Sequence, residues 1–306
     1  MSLVSVLVVN YNGRRFLEDC LRSLKQQSLE RPKFEIILID NGSVDGSVEF
    51  VRSEFPDVRV IALPQNIGFA AANVAGLEHA TGRYIALLNN DAVAEPGWLT
   101  ASLDAMETSN DIGGVAAKIV FAHDPKTINS AGLVLLRDGR GADRGFRCED
   151  GEEYRQPTDV FGACGAAVVY RREMLDDVGF FEPRFFMYYE DLDLAWRARR
   201  RGWRFVYAPD AVVRHVHCGS SGEWSPAFCF YVERNRVLTS IRNASMLLAV
   251  GSTIGLGLRV LRCWWRIAVT RGKQWRLAHG FAYLRAGWSL AMELPRAVQA
   301  RFRLAK

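Results

Sequence analysis

Apolar runs alternate with helix-patterned stretches along the first hundred residues. The runs predict four strands: Val4–Val9, Phe34–Ile39, Val58–Ala62 and Tyr84–Leu88. Between them, hydrophobic residues recur at helical spacing and predict three helices: Arg14–Gln27, Ser47–Phe55 and Phe69–Ala80. Continuous apolar strands between amphipathic helices are typical of a parallel sheet covered on both faces. The pattern therefore predicts an α/β fold with a mostly parallel sheet.

The pattern is less regular in the middle of the chain and changes again near its end. Residues 122–158 are rich in Gly, Asp and Arg and are predicted to form a loop-rich excursion. From Phe230 onward the pattern is helical and basic. Between these regions the sequence predicts a strand, a helix and a second, short strand: Phe161–Tyr170, Asp191–Arg200 and Arg204–Ala208.

Charge divides the chain unevenly. Residues 231–306 carry 14 basic residues against Glu233 and Glu293, a net charge of +12. The other 230 residues carry 25 basic and 32 acidic residues, a net charge of −7. A basic tail on an acidic body indicates an anionic partner for the tail.

The apolar content of the tail suggests what that partner is. Met246–Leu258 is an apolar run of 13 residues that ends at Arg259, whereas a spanning helix needs about 20. Arginines recur beyond it at helical spacing with tryptophans nearby, as in amphipathic membrane-surface segments. They are Arg259, Arg262 and Arg266, with Trp264, Trp265, Trp275 and Trp288. The alternatives are a helical cap on the core or a dimer contact. We expect no nucleic-acid partner, because the body has no recognition motif for one.

Cysteine usage and the N-terminus indicate the compartment. The six cysteines are scattered and form no CxxC pair, which argues against a zinc site or a disulfide scaffold and suits a reducing cytosol. Met1 leads directly into the first strand without a basic segment or a cleavage site, so no signal peptide is predicted.

Polar clusters follow three of the predicted strands: Asn10–Asn12, Asp40–Ser43 and Asn89–Asp91. In parallel sheets, ligands bind beyond the carboxyl ends of the strands. Asp40 is either the carboxylate that binds a nucleotide base or ribose, or part of an Asx turn before a helix cap. Asp91 suits Mn²⁺ or Mg²⁺, which take few carboxylates and complete their shell with phosphate oxygens and water. The first turn, Asn10–Gly13, is not the glycine-rich loop of dinucleotide-binding folds.

Carboxylates and histidines in the second half add candidate chemistry. Glu190, Asp191 and Asp193 follow an aromatic run, Phe185–Tyr189. They form either an acidic first helical turn, favoured by the helix dipole, or a general base held against an apolar wall. His215 and His217 follow the strand-like Ala211–Arg214, and either could complete a metal shell, although a lone histidine is more often structural.

Six motifs in order resemble glycosyltransferase family 2, the inverting transferases of GT-A type, over roughly residues 3–240. They are Val8–Gly13, Ile39–Ser47, Asn66–Asn73, Leu87–Asp91, Gly179–Glu182 and Tyr189–Arg197. The chain is most similar to the rhamnosyltransferase-like branch, in which the DXD motif is commonly Asn-x-Asp. It lacks the QxxRW motif of processive members, so single-sugar addition is expected.

The resemblance implies a role for each matching residue. Asp40 would contact the nucleotide base, and Asn10 and Asn12 would line the same pocket. Asp91 would bind Mn²⁺ or Mg²⁺ together with His215, which fits better than His217. Asp191 would be the general base, with Glu190 its only rival. Further nucleotide-binding residues are Asn66 and Asn89, the weaker first element of DXD.

The resemblance also implies an architecture: a GT-A type, Rossmann-like sheet with helices on both faces and a basic helical C-terminal segment. Residues 1–100 would be the nucleotide-sugar-binding half, 101–230 the acceptor-binding and catalytic half, and 231–306 the C-terminal segment. The donor would be dTDP-rhamnose or a UDP-sugar such as UDP-galactofuranose.

The acceptor would be a saccharide or a lipid-linked saccharide in cell-surface polysaccharide or glycolipid assembly. The protein would then be cytoplasmic and peripheral at the inner face of the membrane. A nucleotidyltransferase and an inactive nucleotide-sugar-binding protein are the alternatives. The first should have a Gly-rich, basic phosphate loop after the first strand, and intact Asp91 and Asp191 argue against the second.

Overall fold

The computed structural model of the protein describes residues 3–29, 33–216, 224–269 and 276–303. The strands are β1 (Val4–Asn10), β2 (Phe34–Asp40), β3 (Arg59–Ala62), β4 (Tyr84–Leu88), β5 (Ala92–Ala94), β6 (Ile112–Phe121), β7 (Asp124–Ser130), β8 (Leu133–Leu135), β9 (Gly141–Asp143), β10 (Thr158–Val160), β11 (Ala167–Arg171) and β12 (Arg204–His215). The helices are α1 (Arg14–Lys25), α2 (Ser47–Glu54), α3 (Phe69–Leu77), α4 (Trp98–Met106), α5 (Arg172–Val178), α6 (Glu190–Arg200), α7 (Pro226–Asn243), α8 (Met246–Val269) and α9 (Leu277–Arg303).

One sheet runs through the body in the order β10-β12-β6-β11-β4-β1-β2-β3, with β5 on β12 and β7 on β6. Both faces are covered, because successive side chains of a strand point to opposite faces. Val6 and Val8 of β1 pack in one core cluster with α1 and α4, and Leu7 packs in a second cluster with α3, α5 and α6. Helices on both faces confirm the predicted α/β class.

The direction of the strands differs between the two halves of this sheet. β1, β2, β3 and β4 are parallel to one another, as predicted. β11 is antiparallel to β4 and to β6, whereas β12 is parallel to β6. The sheet is therefore mixed, because β11 begins where β4 ends, at the pair Ala167 and Leu88, and runs back along it.

Three local predictions change in the second half. The predicted strand Phe161–Tyr170 is a loop up to residue 166, followed by β11. Residues 122–158 contain the strands β7, β8 and β9 rather than loops alone. β12 continues through His215, because residues 212–215 pair with β6 and the last three of them also with β5. His217 lies outside the described residues, and the domain boundaries at residues 100 and 230 stay predictions.

Helices α7, α8 and α9 pack together around a third apolar cluster. The helix α8 passes Arg259 without interruption and reaches Val269, so the prediction of a 13-residue apolar stretch underestimated the apolar segment. In the described part of the chain, α8 is the one helix long and apolar enough to cross a membrane, judged by length and composition alone.

Large apolar side chains of α8 and α9 face outward along both helices. These side chains, which we call the α8–α9 stripe, are all exposed: Leu247, Val250, Ile254, Leu258, Leu261, Trp265, Val269, Leu277, Phe281, Leu284, Trp288, Met292, Val298 and Phe302. Of the arginines that the sequence predicted on this face, Arg262 is exposed and Arg266 is half-buried, whereas the Nε of Arg259 donates to the Oε2 of Glu233 at 2.7 Å. Trp275 lies outside the described residues. Apolar and basic side chains are therefore both exposed on these two helices.

Candidate functional site

The carboxyl ends of β1 and β2 are tied together by side chains. The Nδ2 of Asn10 donates to the Oδ2 of Asp40 at 3.0 Å and to the Oγ of Ser43 at 3.1 Å. The backbone N–H of Ser43 donates to the Oδ1 of Asp40 at 2.9 Å. Both strands thus end in one polar network at the edge where the sequence predicted a nucleotide site.

The predicted residues of this network differ in their exposure to solvent. Asn10 is fully buried and Asp40 is 1% exposed. Asn12 is exposed, with φ of 49°, and its Oδ1 accepts a hydrogen bond from the N–H of Val44 at 2.9 Å. Contact between a base and Asp40 stays a prediction.

Asn66 lies beside the end of β2. Its Oδ1 accepts hydrogen bonds from the Nδ2 of Asn41 at 3.0 Å and from the N–H of Gly68 at 2.9 Å. The Oδ1 of Asn41 in turn accepts from the N–H of Ile67 at 2.9 Å. These bonds fix the turn before α3, and nucleotide binding by Asn66 stays a prediction.

Asn90, which the sequence did not distinguish within Asn89–Asp91, connects the end of β1 to the end of β4. Its Nδ2 donates to the Oδ1 of Asn10 at 2.7 Å, and both residues are buried. Gly13 packs against this amide pair, and a Cβ on it would lie 2.0 Å from the Nδ2 of Asn90. A glycine is therefore required where the first turn passes over the amides.

The structure brings Asp91 and His215 together, as predicted. The Nε2 of His215 lies 3.1 Å from the Oδ1 of Asp91 and 3.2 Å from the Nδ2 of Asn89. Both side chains are less than a tenth exposed. The pair forms because β12 places His215 opposite Ala92, directly after Asp91 in the chain.

Asn129 determines the orientation of the imidazole. Its Oδ1 lies 2.8 Å from the Nδ1 of His215, and an amide oxygen can only accept, so the Nδ1 carries the proton. The Nε2 is then directed toward Asp91 and Asn89. An outer hydrogen bond of this kind is typical of metal-binding histidines.

The donor set fits a divalent cation that takes few protein ligands. No group of three His, Cys, Asp or Glu side chains that could hold a metal occurs among the described residues. One carboxylate and one imidazole are nevertheless enough for Mn²⁺ or Mg²⁺ if diphosphate oxygens complete the shell.

Glu190 and Asp191 begin α6. Glu190 is 6% exposed and its Oε2 has no hydrogen-bond partner among the described residues. The side chain of Asp191 stays partly accessible. Its Oδ2 accepts from the N–H of Gly165 at 3.1 Å and its Oδ1 from the N–H of Leu192 at 2.7 Å.

Burial raises the pKa of both carboxyl groups. For Asp191, the hydrogen bonds from Gly165 and Leu192 oppose this rise without cancelling it. For Glu190, burial acts first and the neighbouring Asp191 carboxylate raises the pKa further. Asp191 is the better candidate base of the two, because its side chain is partly accessible whereas that of Glu190 is buried.

One short loop joins the candidate metal pair to this acid pair. Within residues 161–166, the N–H of Gly165 binds Asp191, and the O of Ala166 accepts from the N–H of Asn89 at 2.9 Å. Asp191 and the Asn89–Asp91 motif therefore lie on either side of the same loop. The sequence treated this loop as part of a strand.

Asp143 is a further carboxylate at this place, on β9. Burial raises its pKa to about 6 against hydrogen bonds from Ser130 and Cys164, and the Asp191 carboxylate adds to the rise. Neither Asp143 nor Asn129 was predicted as a site residue, because both lie within residues 122–158, which were predicted to form a loop-rich excursion. The Gly and Asp content of that excursion was the only signal.

Comparison with known proteins places these features in a family. A family model described as Glycosyl transferase family 2 matches residues 5–179. The chain is 30% identical over 244 residues to the N-acetylglucosaminyl-diphospho-decaprenol L-rhamnosyltransferase of Mycobacterium tuberculosis strain H37Rv. That match covers 72% of this chain and 78% of the relative.

Solved structures with the same fold are glycosyltransferases. A mannosyltransferase from Pyrobaculum calidifontis, in complex with GDP-Man and Mn²⁺, has a TM-score of 0.59 at 19% identity and covers 99% of this chain and 85% of its own. GalNAc-T7 with UDP, GalNAc and Mn²⁺ has a TM-score of 0.63 at 16% identity. That match covers 79% of this chain and about half, 48%, of the other. These likenesses confirm the predicted GT-A fold.

Proposed function

The chain belongs to glycosyltransferase family 2, and from this premise we propose that it transfers one sugar from a nucleoside diphosphate to an acceptor hydroxyl with inversion. The observation that carries the proposal is the pairing of two sites across residues 161–166. The Asp91–His215 pair lies on one side, and the Asp191 carboxylate, with no basic side chain hydrogen-bonded to it among the described contacts, lies on the other.

In the proposed reaction, Asp191 accepts the proton of the acceptor hydroxyl while that oxygen attacks the anomeric carbon. The bond from the anomeric carbon to the diphosphate oxygen breaks in the same displacement, and the nucleoside diphosphate leaves with the electron pair. The raised pKa of Asp191 makes it a stronger base than an ordinary aspartate.

Asp91 and His215 are proposed to hold Mn²⁺ or Mg²⁺, and Asn129 fixes the histidine for that task. Such a cation supplies Lewis-acid stabilisation of the charge on the departing diphosphate. The Mn²⁺ named with both structural neighbours supports this assignment.

The donor is proposed to be dTDP-rhamnose, with UDP-galactofuranose or another UDP-sugar as runner-up. The support is the relative named as an L-rhamnosyltransferase. The diphospho-decaprenol in the same name supports a lipid-linked saccharide acceptor, and hence a step in cell-surface polysaccharide or glycolipid assembly. Addition of a single sugar is proposed because the QxxRW motif is absent from the sequence.

Product analysis tests this function. The protein is incubated with Mn²⁺, a lipid-linked saccharide and each of dTDP-, UDP- and GDP-sugars, and the phosphate products are separated. Release of free nucleoside diphosphate is expected, most with dTDP-rhamnose. Pyrophosphate instead would identify a nucleotidyltransferase. Stabilisation by nucleotide sugars without any turnover would identify a binding protein.

A lipid-linked acceptor requires access to a membrane, and we propose that the α8–α9 stripe rests on the anionic inner face of one. The stripe combines exposed Trp265 and Trp288 with the basic C-terminal segment, a composition typical of interfacial helices. A second copy of the chain is a less suitable partner for the stripe, because a dimer formed there would bring together two segments of net charge +12.

Vesicle flotation tests the membrane proposal. Replacement of Leu261 and Trp288 by Glu is expected to abolish flotation with anionic vesicles. The matched control is Val44→Glu, which changes an apolar side chain that is 91% exposed in the loop between β2 and α2, and it should float as the wild type does. Equal flotation of all three proteins contradicts the proposal. A wild-type dimer that dissociates only in the stripe variant supports a second copy instead.

A further inference from the structure

The segment that leads into α6 has an unusual backbone. Phe186, Tyr188 and Tyr189 have φ angles of 66°, 69° and 72°, in the left-handed region that favours glycine. Residues with a Cβ occupy this region at a cost in free energy, and they stay there only when their surroundings enforce it. Tyr189 is the cap residue of α6, two positions before the candidate base. The orientation of Asp191 therefore depends on what holds this segment.

A single side chain of α7 holds most of it. The Nδ2 of Asn235 donates to the carbonyl oxygens of Phe185, Met187 and Tyr188 at 2.9, 2.8 and 2.8 Å. Asn235 is fully buried. Its two amide hydrogens serve three carbonyls that face a common point, an arrangement that a regular helix or strand would not produce.

Arg234, the neighbour of Asn235 on α7, adds further hydrogen bonds to the same segment. Its Nη2 donates at 2.8 Å to the carbonyl oxygens of Arg184 and Phe185, and its Nε donates at 2.8 Å to the Oδ1 of Asn235. The arginine thus fixes the rotation of the Asn235 amide, so that the Nδ2 faces the segment. Five hydrogen bonds in all connect these two neighbours on α7 to the carbonyls of residues 184–188.

On its other side, the segment touches the nucleotide end of the molecule. The O of Phe186 accepts from the N–H of Ala70 at 3.1 Å. Gly68 lies under Phe186, where a Cβ would come within 2.6 Å of the ring. Gly68 is also the residue whose N–H is bound by Asn66. Residues 186–189 therefore connect the predicted nucleotide pocket, the acid helix and α7.

We infer that Asn235 is a positioning residue for the transfer reaction. It holds residues 186–189 in the strained conformation that places Asp191 against Gly165, at a fixed position relative to the donor pocket. This inference rests on the proposed function, because it assumes that Asp191 accepts the proton. Asn235 itself contacts none of the reacting atoms.

The test compares two buried asparagines of the same helix. Asn235→Ala removes the three bonds to the segment. Asn243→Ala is the matched control, because the Nδ2 of Asn243 donates to the Oδ1 of Asp193 and the O of Thr239 and does not contact the segment. For each variant, kcat, the Kd for nucleoside diphosphate with Mn²⁺, and the hydrogen exchange of the peptide 185–191 are measured.

Asn235→Ala is expected to lower kcat on the order of 100-fold, because small displacements of catalytic groups have effects of that size. The nucleoside diphosphate Kd should stay within about twofold, and exchange in 185–191 should increase. Asn243→Ala should change neither kcat nor that exchange. Asn235→Ser, which keeps one donor, should give an intermediate kcat and replaces the alanine variant if the latter does not fold.

Two results overturn the inference. One is an unchanged kcat for Asn235→Ala with only a lower Tm, which would make Asn235 a structural residue. The other is an unchanged exchange rate in 185–191. If the wild type releases no nucleoside diphosphate from any nucleotide sugar, the proposed function fails separately, and the exchange rates of the two alanine variants still decide whether Asn235 holds the segment.

Discussion

The first turn of α6 contains two kinds of carboxylate side by side. Asp193 is fully buried and bound by two arginines: the Nε of Arg242 lies 2.8 Å from its Oδ1, and the Nε of Arg197 lies 2.9 Å from its Oδ2. No ion pair with a basic side chain is recorded for Glu190 or Asp191 within the described ranges. Burial would raise the pKa of Asp193, but Arg242 and then Arg197 outweigh it and hold the pKa at about 2. For Glu190 and Asp191, burial prevails and the pKa rises.

This difference distinguishes the structural carboxylate Asp193 from the proposed general base Asp191. A carboxylate neutralised by arginines stays charged and fixes α6 to α7, but it cannot accept a proton near neutral pH. A carboxylate without such partners destabilises the fold when it is ionised, and that same cost makes it a better base. All three carboxylates belong to the same acidic turn, so only their hydrogen-bond and ion-pair partners in the folded protein distinguish them.

Asp191→Asn tests most directly whether Asp191, unlike Asp193, takes part in the chemistry. Turnover should fall by about 100- to 10,000-fold, because general-base catalysis contributes that much. Nucleoside diphosphate binding should stay near wild type, since Asp91 and His215 are untouched. Nucleoside diphosphate release measures the first quantity and calorimetry the second. Glu190→Gln is the control, and if it abolishes turnover while Asp191→Asn is mild, the base has been assigned to the wrong neighbour.

Asp193→Asn should do the opposite, with a loss of stability rather than of chemistry. It leaves the buried Arg197 without its partner carboxylate and leaves Arg242 with Glu182 alone, and breaking such a buried pair typically costs about 3–5 kcal/mol of the free energy of unfolding. Urea unfolding measures this loss, and turnover per folded molecule should change little. Asp177→Asn is the control, because Asp177 pairs with the half-exposed Arg201, and such pairs contribute about 1 kcal/mol or less. A similar small effect for both variants would contradict the structural role of Asp193.

Acidification should separate the two kinds of carboxylate in the wild type. The proposed base Asp191 must be ionised to accept a proton, so turnover should be lost as the pH falls through its pKa, which lies above the ordinary 3.8. The pKa of Asp193 is lowered, so its contribution to stability is present above that ordinary value and is lost only as the pH falls through about 2. Turnover should therefore disappear, reversibly, at a pH where circular dichroism still shows a folded protein. Simultaneous loss of both signals would refute this separation.

The smallest expected effect is a gain in stability when Glu190 is replaced by Gln. Glu190 has a raised pKa, so its contribution to stability is present at low pH and is lost as the pH rises through the folded-state pKa. Glu190→Gln removes the cost of ionising this buried carboxyl group, so it should increase the free energy of unfolding more at pH 8 than at pH 5. Urea unfolding at the two pH values measures the difference. A loss of stability at pH 8 would show that ionised Glu190 has a partner.

The predicted site residues that the structure brings together lie at the ends of strands. Asp91 follows β4 and His215 ends β12, and the pairing of neighbouring strands brings their side chains together. Asp191 was located because an acidic turn after an aromatic run is visible in the chain itself. What the sequence could not indicate was which oxygen atoms of these residues already have partners. Asp40 and Asn10, for example, are hydrogen-bonded to each other and almost fully buried.

Periodicity and composition thus determined the α/β class, the strands β1 to β4, the polar edge of the sheet and the basic helical end of the chain, because these depend on patterns repeated over neighbouring residues. The tertiary structure alone decided the reversed direction of β11, the support of His215 by Asn129, the neutralisation of Asp193 by Arg242 and the grip of Asn235 on residues 185–188. Each of these depends on hydrogen bonds between residues that are dozens of positions apart. Local patterning carries no signal for such partners, because their proximity is created only when the chain has folded.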